Sequence, residues 1–178
     1  MKNRKFADGP VWFDGTNINE ALFCDEFLSH RKIIFANGAF FTPDGRVTDV
    51  LPLRGEIYEE LKCCAVNNIP RKITNILEVL KLAAHVDDFP PEADRIHLTN
   101  GTLKLDGTFT EGRPEIVRSR LPVAYNTGAP VPSQWLAFLD GLLYPEDIPT
   151  LQEFIGYCLI PSNKGQRMMV IKGEGGEG

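Results

Sequence analysis

Apolar positions along the chain recur with two different periods, and the alternation between them lays out the elements. In "EALFCDEFLSHR" the residues Leu22, Phe23, Phe27 and Leu28 share one helical face, and Asn19 has the side chain of an N-cap. A short strand is expected just before it, around "PVWFDG". In "KIIFANGAFFTPDGRVTDV" strand-like runs meet at Asn37-Gly38, and a third run follows Asp44-Gly45. Both dipeptides supply the positive φ that tight hairpin turns need. "LRGEIYEELKCCAV" returns to helical spacing through Ile57, Leu61 and Cys64, and Asn67-Asn68 breaks it. Pro70 suits the first turn of a third helix, whose stripe is Ile73, Ile76, Leu77, Leu80 and Ala84.

"DDFPPEAD" reads as a loop, and "RIHLTNGTLKLDGTFTEG" then repeats the strand-turn-strand-turn-strand pattern at Asn100-Gly101 and Asp106-Gly107. The likeness of the two meanders covers about a dozen residues, which independent β-meanders produce readily, so it does not imply a duplication. After an extended, turn-rich segment, Ser133 is placed to cap a helix over "QWLAFLDGLL". A last helix, "YPEDIPTLQEFIGYCLI", has Leu151, Phe154, Ile155 and Cys158 as its apolar positions. "PSNKGQ" then turns into "RMMVIK", a predicted strand that runs directly into glycines.

Composition adds limits. A hydrophobic share of 43% with 24% charged residues is that of a globular chain with a sizeable core. The net charge of −5 is no overall match for nucleic acid, so any such binding needs a local basic patch. The four cysteines Cys24, Cys63, Cys64 and Cys158 have no Cys-x-x-Cys spacing, and His30, His85 and His97 are scattered. That pattern predicts reduced thiols, no metal site and a cytoplasmic location. No signal peptide or membrane span is expected. No Ser/His/Asp or Cys/His arrangement is detectable, so no catalytic residue is predicted.

The candidate chemistry lies at the end of the chain. An apolar strand followed by Gly-x-x-x-x-Gly is the front of a P-loop, and Gly173 and Gly178 fill its two fixed positions, enclosing Glu174, Gly175, Gly176 and Glu177. Glycines let successive backbone N–H groups curl around phosphate oxygens. The signature continues with Lys and Ser or Thr, and the chain stops where that lysine would come. The loop is therefore expected to be incomplete. A disordered Gly/Glu-rich tail has the same composition, and Glu174 and Glu177 would repel an anion.

The order "IHLTNGTLKL", "LPVAYN", "PSQWLAFLDGLL", "LQEFIGYCLIPSNKGQRMMVIKGEGGEG" resembles the phage and plasmid primase-helicase family, related to the poxvirus helicase-primase. The similarity spans roughly residues 10–178 and is strongest from about Arg95 onward. It implies a domain just upstream of a superfamily 3 helicase motor, an AAA+ ATPase that forms rings, commonly hexamers, around DNA. ATP and Mg²⁺ are implied for the whole protein and no cofactor for this chain, which lacks the lysine and hydroxyl. The expected fold class is α+β, mainly helical with short β-hairpins and winged-helix-like, ending in the first strand of a truncated P-loop ATPase domain. The expected division is an N-terminal strand/helix/hairpin segment over 1–50, a pre-helicase collar or DNA-guiding domain over 51–165, and the start of the motor over 166–178.

Helices 2 and 3, joined by "NNIP" and followed by the "IHLTNGTLKLDG" hairpin, have the order of a helix-turn-helix with a wing. Arg71 and Lys72 would then contact the nucleic-acid backbone, with Lys62, Lys81, Arg95 and Lys104 extending a basic strip. Ordinary solvated charges are the alternative, and Glu56, Glu59, Glu60 and Glu78 dilute the strip. Trp135, Leu136, Phe138 and Leu139 are expected in the core. The function implied is an accessory domain of an ATP-dependent replicative helicase-primase that supports homo-oligomeric ring assembly and DNA engagement, with no membrane partner. A free-standing winged-helix regulator and a purely structural oligomerisation module remain as alternatives.

Overall fold

The computed structural model describes residues 9–64, 67–113, 116–160 and 162–173. Their architecture is α+β, with five helices and two three-stranded antiparallel sheets. The chain divides into two compact units. Unit 1 draws on Met1–Pro90 and Pro114–Arg120, and unit 2 on Pro91–Arg113 and Leu121–Gly178.

Unit 1 contains α1 (Glu20–His30), β1 (Ile34–Ala36), β2 (Ala39–Thr42), β3 (Gly45–Arg46), α2 (Leu51–Leu61) and α3 (Ile69–Ala83). All five residues of the predicted α3 stripe, Ile73, Ile76, Leu77, Leu80 and Ala84, are buried. Against them pack Phe23, Cys24 and Phe27 of α1 and Leu53, Ile57 and Leu61 of α2, joined by Trp12 and Phe40. One core thus spans the division expected after residue 50.

The buried face of α1 is rotated from the predicted one. Leu22 is 40% exposed and Leu28 only half-buried, while Cys24 is fully buried. Its thiol comes within 3.6 Å of the Ile76 carbonyl, so a small side chain sits where α3 backbone approaches. On α2, Cys64 lies in a turn past the helix end, and Leu53 takes the expected place in the stripe.

The strand expected at "PVWFDG" reduces to a single bridge between Phe13 and Ile18. A turn closes it: the Asp14 carboxylate accepts the N–H groups of Asn17 and Thr16 at 2.6 and 2.8 Å, which holds its pKa below the ordinary range. Asn19 caps α1 as predicted, its Oδ1 accepting the Leu22 N–H at 3.1 Å. Asn19→Ala should destabilise the protein by about 1 kcal/mol in a urea titration, the usual loss for an N-cap. Asn19→Asp should retain most of that stability; equal losses in the two variants would mean the cap bond contributes nothing.

Asn37 (φ 50°) and Gly38 (φ 75°) form the predicted two-residue turn with Ala36 opposite Ala39. At the second turn only Gly45 (φ 103°) is left-handed, after Pro43-Asp44. The segment 116–120 returns along this hairpin. Arg118 O accepts the Arg46 N–H, Arg120 Nε donates to Pro43 O, and the Arg118 guanidinium lies 5.8 Å from the Phe41 and Phe89 ring centres.

Unit 2 contains β4 (Arg95–Leu98), β5 (Gly101–Lys104), β6 (Phe109–Glu111), α4 (Ser133–Leu142) and α5 (Ile148–Cys158). Gly107 (φ 87°) closes the β5–β6 turn as the Asp-Gly pair predicts, but neither Asn100 nor Gly101 has a positive φ. The β4–β5 turn is Thr99-Asn100, with Leu98 opposite Gly101. Asn100 instead clamps a neighbouring segment: its Nδ2 donates to Tyr125 O at 2.9 Å, and its Oδ1 accepts the Tyr125 N–H at 2.8 Å.

Three further expectations in unit 2 are corrected. Ser133 is the first residue of α4 rather than its cap; Pro132 holds the cap position, with no side-chain bond. Of the α4 residues expected in the core, only Leu139 is buried, and α5 buries none. Arg167–Lys172 is not a strand: no described residue pairs with it, and without a ladder partner an apolar run stays irregular. Met168, Val170 and Ile171 are accordingly exposed, Met168 to 84%.

Candidate functional site

The predicted basic strip draws on both units. Arg71, Lys72 and Lys81 belong to unit 1, whereas Arg95 and Lys104 belong to unit 2, where they face one another across β4 and β5. The helix pair and the proposed wing therefore lie in different units. Within unit 1, Arg71 is exposed and Lys72 half-buried in the first turn of α3. Cations there oppose the helix dipole, so they do not stabilise the helix end. Lys81 sits in the last turn, more than two turns away along the helix.

Several members of the strip are already paired. Lys81 bridges Glu78 at 2.7 Å, Lys62 bridges Glu59, and Arg95 bridges Asp94 at 2.9 Å and Glu92 at 3.3 Å. Such exposed pairs contribute little stability, but they leave less net positive charge for a phosphate.

The fold assembles a different set around Lys81. A cleft of about 360 Å³ opens between the β1–β2 hairpin tip and helices α2 and α3, edged by Arg46, Arg54 and Lys81 against one carboxylate, Glu78. Phe35 and Phe40, edge to face at 4.9 Å, line it, as do Thr74 and Leu77. The Arg54 guanidinium donates to Thr74 Oγ1 at 3.4 Å, and that hydroxyl donates to Pro70 O at 3.0 Å. Two arginines and a lysine thus edge the cleft against one carboxylate, with Lys81 already paired to Glu78, a setting that favours an anion. Arg46 and Arg54 carry no sequence signal of this kind. One follows a turn, the other sits in a helix turn, and the packing of α2 and of the hairpin against α3 brings them together.

Gly173 ends the described part of the glycine-rich loop; Glu174, Gly175, Gly176, Glu177 and Gly178 lie outside the described residues. Ahead of Gly173, Met169–Lys172 lines a cleft of about 280 Å³ with Leu142, Tyr144, Asp147 and Leu151 of the α4–α5 junction. Trp135 and Phe138, expected in the core, stack at 5.7 Å and remain about half exposed. Residues 121–163 carry Asp140, Glu146, Asp147 and Glu153 and no Lys, Arg or His. That charge disfavours nucleic acid along this segment, and its exposed apolar residues suit protein contacts.

One constellation has no signal in the spacing of the sequence. His97 is buried in unit 2, its Nδ1 3.0 Å from Thr102 Oγ1 and its Nε2 against Glu92. His97 and Thr102 are opposite one another in the β4–β5 ladder, and Glu92 also takes Arg95. Cross-strand pairing accounts for the hydroxyl-imidazole contact, and the carboxylate ties the 91–94 segment to the sheet.

Among the described residues no cluster of three or more His, Cys, Asp or Glu is placed to hold a metal, and no helix is long and apolar enough to cross a membrane. No protein-family model matches the chain, and no curated protein matches it.

Proposed function

We propose that this chain is an accessory domain of an ATP-dependent replicative helicase-primase of phage, plasmid or prophage type, engaging DNA and supporting assembly of a homo-oligomeric ring. What carries the reading is order along the chain: "LQEFIGYCLIP", then the apolar run ahead of Gly173, then the glycine-rich loop. The finer features of fold belong to the same proposal, including the winged-helix likeness and the start of a P-loop domain at residues 166–178. The basic-edged cleft of unit 1 supports the DNA contact, and the exposed apolar residues of α4 and α5 support the assembly role. ATP and Mg²⁺ would act in the whole protein.

Titration with fluorescent single-stranded and duplex DNA tests the reading. The expected binding is weak, sequence-independent and steeply salt-sensitive, because phosphate contacts release counterions. Arg46→Gln combined with Arg54→Gln should weaken it by about tenfold at low salt and flatten the salt dependence by about two phosphate contacts. Binding unchanged in that variant removes the cleft from the interface. Nanomolar, sequence-selective duplex binding would support a free-standing regulator instead.

A further inference from the structure

Cys63 and Cys64 are adjacent in the chain and lie just beyond the last residue of α2. Their sulfurs are 3.2 Å apart, Cys63 is exposed, and Cys64 is half-buried at the edge of the unit 1 core. We propose that this pair is a dithiol site that chelates a trivalent, thiophilic arsenic centre. The inference stands apart from the helicase-primase reading.

Geometry and thiol chemistry together select this ligand class. Two sulfurs at this separation are within the bite of one arsenic. A structural zinc ion would need four ligands, and no cluster of three or more ligating side chains occurs among the described residues. Reaction with peroxide or a disulfide requires a thiolate, and the surroundings of Cys64 work against one. The Cys63 S–H donates to the Glu60 carbonyl at 3.3 Å, and Lys62, the adjacent cation, is bridged to Glu59. Burial and the neighbouring Cys63 push the Cys64 thiol up to about 11. The Cys64 thiol is therefore protonated near neutral pH.

Condensation with an organoarsenic oxide uses protonated thiols directly. The two S–H protons pass to the arsenic-bound oxygen, two As–S bonds form, and the oxygen leaves as one water. Arsenic remains trivalent, so no oxidant or reductant is needed. Of the other two thiols, Cys24 is fully buried, and Cys158 is exposed but has no adjacent cysteine in the sequence.

The test uses the folded full chain, phenylarsine oxide and an excess of a simple monothiol, read by intact mass. One adduct per chain is expected, reversed by a small dithiol. It should fall at least tenfold in Cys63→Ser and in Cys64→Ser and persist in Cys158→Ser. Survival of the adduct in either single variant, or its loss in Cys158→Ser, overturns the proposal. A second measurement needs no variant: arsenic should protect two thiols from alkylation, both on one peptide. Protection of one thiol, or of thiols on separate peptides, overturns it equally.

Discussion

Phe23→Ala is expected to destabilise the protein by about 3–5 kcal/mol, the usual cost of deleting a buried aromatic ring. Phe23 is fully buried on the face of α1 turned to α3, edge-on to Trp12 at 5.0 Å and stacked on Phe27 at 5.9 Å. Removing the ring loses its transfer free energy and opens a cavity between two other large aromatic side chains, neither of which can collapse into it without leaving its own contacts. A domain of this size is stable by only about 5–15 kcal/mol, so the variant would approach the unfolding threshold at modest urea concentrations. Trp12 is 3% exposed and touches the site, so its fluorescence reports the transition. Leu22→Ala, one residue away, should cost under about 1 kcal/mol, because Leu22 points outward at 40% exposure. Equal losses in the two variants would restore the helical face read from the spacing alone.

That contrast marks where legibility ended. The 3.6-residue period gave α1 its position and its cap, because both depend on neighbours within one turn. Which of Leu22 and Cys24 turns inward depends on how closely α3 passes, and the small Cys24 beside the Ile76 carbonyl settles it. The α3 stripe was fully legible, since that helix is covered by α1 and α2 and its pattern leaves only one apolar face. In α4 and α5 the apolar positions were equally plain but name no partner, and among the described residues only Leu139 is buried. The residue types of Arg167–Lys172 predict a strand, yet strand structure requires a paired edge, which composition cannot supply. Of the candidate site, Lys81 was legible as part of a basic strip. Its partners Arg46 and Arg54 stand 35 and 27 positions earlier in the chain, and tertiary packing alone places them at one cleft.

Gly101→Ala is expected to cost about 1–3 kcal/mol through overpacking, although the turn signal gives a different reason for that glycine. In "TNGTLKL" it reads as the left-handed residue of a hairpin, and there alanine would be strained by φ. Gly101 has no positive φ. It lies inside β5, where a Cβ would stand 2.4 Å from Thr110 O and 2.5 Å from Cζ of Phe109. The carbonyl belongs to the adjacent strand of the ladder and cannot retreat without disturbing the pairing of Gly101 with Glu111 and of Thr102 with Thr110. The ring is held by Tyr125, 4.7 Å away, whose backbone Asn100 fixes by two hydrogen bonds. Neither neighbour is the free end of a flexible side chain, so a methyl group must shift a strand. Gly107 makes the comparison: its φ is 87° with open space around it, so Gly107→Ala costs only the local strain of a left-handed residue, about 1–2 kcal/mol. The two mechanisms separate when Phe109→Ala is added. Removing the ring relieves part of the Gly101→Ala clash, so that pair should be non-additive, whereas Gly107→Ala and Phe109→Ala should be closer to additive. Denaturant-dependent amide exchange at Thr102 and Leu103 supplies the free energies for the local sheet. A Gly101→Ala penalty below about 0.5 kcal/mol would mean that β5 and β6 lie farther apart than these contacts require.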